Sequence, residues 1–164
     1  MFVNDYLKKL KPYPVVSQKA WTLSDREKVL KLDWNEATIP PSPKVKQELK
    51  KFIDDGNMNW YPNLNNDVLN QKIANYCQVP KNCVQYYGSS DSLHEYISSA
   101  FLEPNFVVTI VAPTYDNFRA VIESKGAVVD NYYLGQEFQL DCHFNQYIKN
   151  NKPKMVYICN PNNP

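Results

Sequence analysis

The sequence predicts an α/β protein with a mostly parallel sheet flanked by helices. Short β-branched runs alternate with amphipathic helical segments from residue 84 onward, and Pro or Gly bounds most of them, which is the pattern of βαβ units. Length agrees: 164 residues can bury a core without staples, as one domain or as part of a larger one.

Residues 1–30, with Pro12 and Pro14 and no sustained period, read as an N-terminal arm lying on something else, and residues 31–164 as the body. Residues 29–34 read as a short strand, and Pro40-Pro41 ends the loop that follows. Ser42 and Pro43 make an N-cap and first helical position, after which Val45, Leu49, Phe52 and Ile53 keep helical spacing until Gly56. A second helix is expected over about 66–77, with Leu69, Ile73 and Tyr76 on one face. Residues 84–87 read as a strand, and Leu93, Tyr96, Ile97, Ala100 and Phe101 as the stripe of a helix starting near Asp91. The run 106–111, between Pro104 and Pro113, reads as a buried strand, and Phe118, Val121 and Ile122 mark a helix closed by Lys125-Gly126. A strand from Ala127, a helix over about 141–149 and a strand over 155–159 complete the order, leaving a sheet that looks unfinished.

Several function classes lose support. Eighteen Lys and Arg against seventeen Asp and Glu give a net charge of +1, so no field favours nucleic acid or an anionic membrane. The longest apolar stretch, 106–112, is far short of the roughly 20 residues that span a bilayer. Met1 to Lys9 lacks the apolar centre of a secretory signal, which makes the cytoplasm the expected location. Cys77, Cys83, Cys142 and Cys159 form no C-x-x-C pair and read as reduced, structural thiols. With only His94 and His143 and no clustered carboxylates, no metal site is expected, and His94 reads as solvated or satisfied.

In open α/β sheets, ligands sit beyond the carboxyl ends of the strands. Ser89, Ser90 and Asp91 lie there before a helix, whose free N–H groups suit a phosphate, although Asp91 also suits a plain N-cap. Tyr115 follows the run 106–111, where an aromatic ring either stacks on a planar ligand or covers the sheet edge. Asn162 and Asn163 follow the last strand, as turn residues or as donors to a ring oxygen.

These places, in this order, resemble the N-terminal part of the fold-type I pyridoxal-phosphate aminotransferases, most closely the group of histidinol-phosphate aminotransferase and threonine-phosphate decarboxylase. Leu10-Lys11-Pro12-Tyr13-Pro14 is similar to that group's arm motif, Asp33-Trp34-Asn35-Glu36 to its Asn-Glu loop and Tyr61-Pro62 to its tyrosine-proline turn. Ser89-Ser90-Asp91 resembles the phosphate cup, Ala112-Pro113-Thr114-Tyr115 the ring-stacking segment, and Asn160 to Pro164 the start of the asparagine-proline motif. Ser89 in place of the frequent Gly, Ala37-Thr38 in place of Asn-Pro, and Ser92 in place of an acidic residue depart from the pattern.

The resemblance implies the large domain of a pyridoxal-phosphate transferase, incomplete in this chain, with the arm packing on the small domain and substrate site. It implies pyridoxal 5'-phosphate as cofactor: Ser90 and Asp91 on its phosphate, Tyr115 on its ring, Asn163 on its phenolic oxygen, and Tyr61 reaching the phosphate of the other subunit of a homodimer. Tyr13 and Asn35 would face the substrate. The Schiff-base Lys is expected beyond Pro164, so no catalytic residue is assigned here. The implied reaction moves an amino group between an amino acid, histidinol phosphate among the candidates, and a 2-oxo acid. The alternatives are a decarboxylase of a phosphorylated amino acid such as threonine phosphate and a non-catalytic, truncated ligand-binding module.

Overall fold

Val107–Ala112 (β1) is the most apolar run of the chain and forms the centre of a three-stranded sheet. In the computed structural model, which describes residues 2–14, 19–25 and 28–163, two units are distinguished: residues 1–14 with 87–164, and residues 15–86.

In the first unit Asp5–Lys8 (α1) is followed, after residue 86, by Ser90–Phe101 (α4), β1, Asn117–Ser124 (α5), Val128–Tyr133 (β2), Phe144–Asn151 (α6) and Met155–Tyr157 (β3). The two helices between α1 and α4 belong to the second unit. The strand order is β2-β1-β3, all parallel, with Val108 opposite both Val129 and Met155. Because strand residues alternate between faces, Val108 and Ile110 pack with Phe118 and Ile122 of α5, Leu102 and Ala127. The opposite face carries Thr109, which donates to Asp130 at 2.8 Å, and Asp130 also accepts from Tyr147 of α6 at 2.6 Å. Crossover helices α5 and α6 thus lie on opposite faces, as right-handed connections leaving β1 and β2 in opposite directions require. Asp141 caps the last crossover helix, accepting from the N–H groups of His143 and Phe144 and from the Tyr132 hydroxyl.

The turn from α5 into β2 needs a glycine. Gly126 has φ +80, and a Cβ there would stand 3.0 Å from the Tyr6 ring and 3.1 Å from Pro104. Helix α1 is thereby seated against α5. The Ala112–Pro113 and Asn160–Pro161 peptide bonds are cis.

In the second unit Pro43–Asp55 (α2) and Asp67–Cys77 (α3) form where the apolar spacing places them. The Ser42 hydroxyl caps α2 by accepting from Lys44 N at 3.3 Å. Ala74 is the sole buried side chain among the described residues of this unit, and Val45, Leu49, Phe52 and Ile53 of α2 are all exposed.

Two expectations fail. Residues 29–34 and 84–87 are not strands. An extended segment becomes a strand only by joining a ladder, and neither segment pairs with β1, β2 or β3. Residues 31–36 are organised instead by Lys31, paired with Asp33 and with Glu36. The last strand ends at Tyr157 rather than at Cys159. No helix among the described residues is long and apolar enough to cross a membrane.

Candidate functional site

The carboxyl ends of β1 and β3 are tied to each other. Thr114 donates to Asn162 Oδ1 at 2.6 Å, and Asn162 Nδ2 donates to the Pro113 carbonyl at 2.9 Å. The loop after β3 is therefore fixed against the loop that carries Tyr115. Asn162 makes this tie, and Asn163, to which the family resemblance assigns the cofactor contact, is the next residue and is exposed.

The helix N-terminus is built by Ser89, not by Asp91. With an extended backbone at φ -162 and ψ 168, Ser89 accepts from Ser92 N through its hydroxyl at 3.2 Å. The N–H groups of Ser90 and Asp91, in the first turn of α4, have no intrahelical acceptor and sit at the positive end of the helix dipole. The serine that stands where the resembled family has Gly thus serves as the cap. Asp91, freed from capping, acts through space on Tyr115, Tyr157 and His94. Helix start, strand end and Tyr157 consequently share one electrostatic neighbourhood.

Tyr115 is held up to about 12, first by burial and next by hydrogen bonding with the Tyr13 side chain, with the Asp91 charge adding to both. The Tyr13 ring meets it edge-on, with centroids 5.9 Å apart and planes at 71°. Tyr13 belongs to the N-terminal segment, so two residues singled out far apart in sequence meet at the strand ends. Tyr157, which the sequence did not flag, stacks on Phe118 at 4.1 Å and is also raised to about 12, chiefly by burial and then by Cys159. Tyr115 and Tyr157 are therefore neutral phenols at ordinary pH.

His94 is neither solvated nor satisfied. It is 8% exposed, packs against Phe118 and Tyr157, and its Nδ1 has no hydrogen-bond partner among the described residues. Burial lowers its pKa against the opposing pull of Asp91. Its ring is therefore part of the packing beneath Tyr157.

Asn35 and Tyr61 lie in the second unit. Asn35 is the middle residue of a tight turn in which Glu36 N donates to the Trp34 carbonyl at 2.9 Å, with Lys31 holding acidic residues on both sides. Tyr61 is almost fully exposed. The first unit alone brings together Ser90, Asp91, Tyr115 and Tyr13.

A parallel sheet whose strand ends carry a capped helix start, a part-buried tyrosine and an asparagine-proline loop defines a binding site of the open α/β class. The model of the aminotransferase class I and II family matches residues 27–164, and the chain belongs to that family. A dihydroxyacetone phosphate transaminase of Campylobacter jejuni is 45% identical over all of this chain and 45% of its own length. A histidinol-phosphate aminotransferase of Ruminiclostridium cellulolyticum is 30% identical over 82% of this chain and 39% of its own. Among solved structures, histidinol-phosphate aminotransferase from Sinorhizobium meliloti, in complex with pyridoxal-5'-phosphate, superposes with a TM-score of 0.79 at 19% identity, covering 99% of this chain and 43% of that one. The chain spans less than half the length of these relatives.

Proposed function

We propose that the protein is a pyridoxal-phosphate-dependent aminotransferase working as a homodimer in the cytoplasm, of which this chain supplies the arm and the first part of the cofactor-binding domain. The observation that carries the reading is the convergence of the α4 start with Tyr115 at the strand ends, in a chain of this family. The residues present suit the cofactor. The Ser90 and Asp91 N–H groups would bind its phosphate, Tyr115 would lie on its ring, and Asn163 would donate to its phenolic oxygen. Tyr61 would reach the phosphate site of the second subunit, and Tyr13 and Asn35 would face the substrate. The bound cofactor's chemistry is an aldehyde that takes up the amino group and a ring that draws electrons from the carbon bearing it. What these residues add is orientation and exclusion of water. The lysine that joins the cofactor is not assigned within these residues.

On the substrate, the names of the relatives share one chemistry. Dihydroxyacetone phosphate and histidinol phosphate both carry a phosphate ester on the carbon next to the one that holds the keto or amino group. The proposed reaction interconverts such a 2-oxo phosphate ester and its 2-amino counterpart, with an amino acid and its 2-oxo acid as the other pair.

The test uses the full-length protein with cofactor, glutamate and either dihydroxyacetone phosphate or the oxo form of histidinol phosphate. The expected result is 2-oxoglutarate in step with loss of the oxo substrate, and no turnover by the 164-residue chain alone. Release of CO₂ from threonine phosphate without amino transfer would overturn the reading in favour of a decarboxylase.

A further inference from the structure

The N-terminal segment meets the sheet unit at two places. One is apolar, where Tyr6 of α1 covers Gly126 and Pro104. The other is polar and centred on Arg119 of α5. Arg119 Nε and Nη2 donate to the two carboxylate oxygens of Asp116 at 2.7 and 2.6 Å, a fork-on-fork pair, and Nη1 donates to Glu123 at 2.5 Å. The remaining donor capacity of Nη1 and Nη2 goes to one acceptor 108 residues away, the Lys11 carbonyl, at 3.3 and 3.4 Å. The Arg119 side chain is 14% exposed and its bonds to Asp116 and Glu123 are part-buried, whereas Lys11 is exposed.

Two of the three partners of the guanidinium sit beside a tyrosine of the candidate site. Asp116 follows Tyr115 directly, and Lys11 precedes Tyr13 by two residues, with Pro12 between them removing slack. The two rings meet at 5.9 Å. A single planar, permanently charged group therefore spans the two backbones that bear the contacting rings. A lysine could not do so, since one ammonium cannot present a fork to Asp116 and a second edge to Lys11. The two carboxylates leave a net negative charge around the guanidinium, and Lys8, Lys9 and Lys11 make the segment facing it basic.

We propose that Arg119 is a positioning residue that fixes the N-terminal arm at Lys11 and so sets the distance from Tyr13 to Tyr115, and with it the fit of the substrate's amino side to the ring-stacking tyrosine. The part concerning substrate rests on the function proposed above; the anchoring of the arm does not. The sequence offered a signal for half of this, because Arg119 stands three residues after Asp116 and four before Glu123, the spacing of helix ion pairs. Nothing in the sequence points to Lys11.

The experiment compares full-length wild type, Arg119→Met and Arg119→Lys, using hydrogen–deuterium exchange of the peptide containing residues 6–14, cofactor affinity by absorbance, and steady-state kinetics. Arg119→Met should speed exchange of the arm peptide by about tenfold, as loss of a hydrogen bond from a charged donor implies. It should raise KM for the amino substrate severalfold while leaving cofactor affinity and exchange of the peptide containing β1 unchanged. Arg119→Lys should keep the charge and rescue less than half of the arm protection. Unchanged arm exchange in both variants would overturn the anchor, and faster exchange with KM unmoved would overturn the substrate half. A wild type without turnover but with a protected, Arg119-dependent arm would refute the function and leave the anchor standing. Should Arg119→Met fail to fold, Arg119→Lys and Glu123→Gln carry the same comparison.

Discussion

Helices α5 and α2 are both amphipathic, yet one is buried and the other is not. Helix α5 buries Phe118, Val121 and Ile122, the first and last of them against β1, whereas α2 leaves Val45, Leu49, Phe52 and Ile53 uncovered. The difference lies in partners, not in patterning. A parallel strand offers a complete apolar face on which a crossover helix can lie, while α2 belongs to a unit with one buried side chain among its described residues. Amphipathic spacing determines which face of a helix is apolar; what covers that face depends on the rest of the fold.

The contrast is sharpest for large-to-small substitutions. Phe118→Ala should cost about 3–5 kcal/mol, because a fully buried ring leaves a cavity between α5 and β1. Phe52→Ala should cost within about 0.5 kcal/mol if its side chain stays in water. Urea denaturation of the two variants measures both. An equal cost would break the comparison and show that the α2 face is covered in solution.

A smaller effect is expected at the α5 turn. Gly126→Ala meets both a left-handed backbone and the Tyr6 ring, and should cost about 1–2 kcal/mol. Gly135→Ala, with nothing within 4 Å of the added carbon, is the matched control and should be close to neutral. Equal thermal midpoints for the two variants would mean that α1 is not seated on this turn.

Much of this first unit was legible in the sequence, for reasons tied to particular residues. Strand β1 could be read because its run is apolar on both faces and prolines bound it; α4 and α5 could be read because their stripes repeat at helical spacing. The strand reading of 29–34 and 84–87 failed because composition reports a liking for extended backbone and not the presence of a neighbour. The cap of α4 was misplaced on Asp91 because Ser89, Ser90 and Asp91 are all capping types, and only backbone geometry separates them. Of the site, the separate roles of Tyr13 and Tyr115 came from the family resemblance, and their contact is seen only in the structure. Arg119 escaped because its decisive bond crosses 108 residues to a carbonyl, a group every residue carries.

Stability should depend on pH on both sides of neutrality within this unit. Tyr115 and Tyr157 have raised pKa values, so their contribution is fully present below the ordinary value near 10 and is lost as pH rises through about 12. His94 has a lowered pKa, so its contribution is present above the ordinary value near 6.5 and is lost as pH falls through the lower value in the folded chain. Denaturation midpoints measured across pH should fall off on both sides of a plateau. Tyr157→Phe should make the alkaline limb shallower, the remainder belonging to Tyr115, and His94→Gln should flatten the acid one. A limb left unchanged in its variant would assign that titration elsewhere.

The smallest effect concerns an ion pair of the second unit. Lys81 and Asp67 join the short helical turn Lys81–Cys83 to the start of α3, but their side chains are 43% and 58% exposed. Water and salt screen such a pair, and holding two flexible side chains in one geometry offsets most of the attraction. Lys81→Met should therefore change stability by at most about 1 kcal/mol, with the difference shrinking as salt is raised from low to physiological strength. In the Arg119 cluster the guanidinium is only 14% exposed although Asp116 is 45% exposed, so salt should weaken it less than the Lys81 pair. If the Lys81→Met effect were instead large and insensitive to salt, the pair would be buried in the working protein. The surface of the second unit around α3 would then be an internal face.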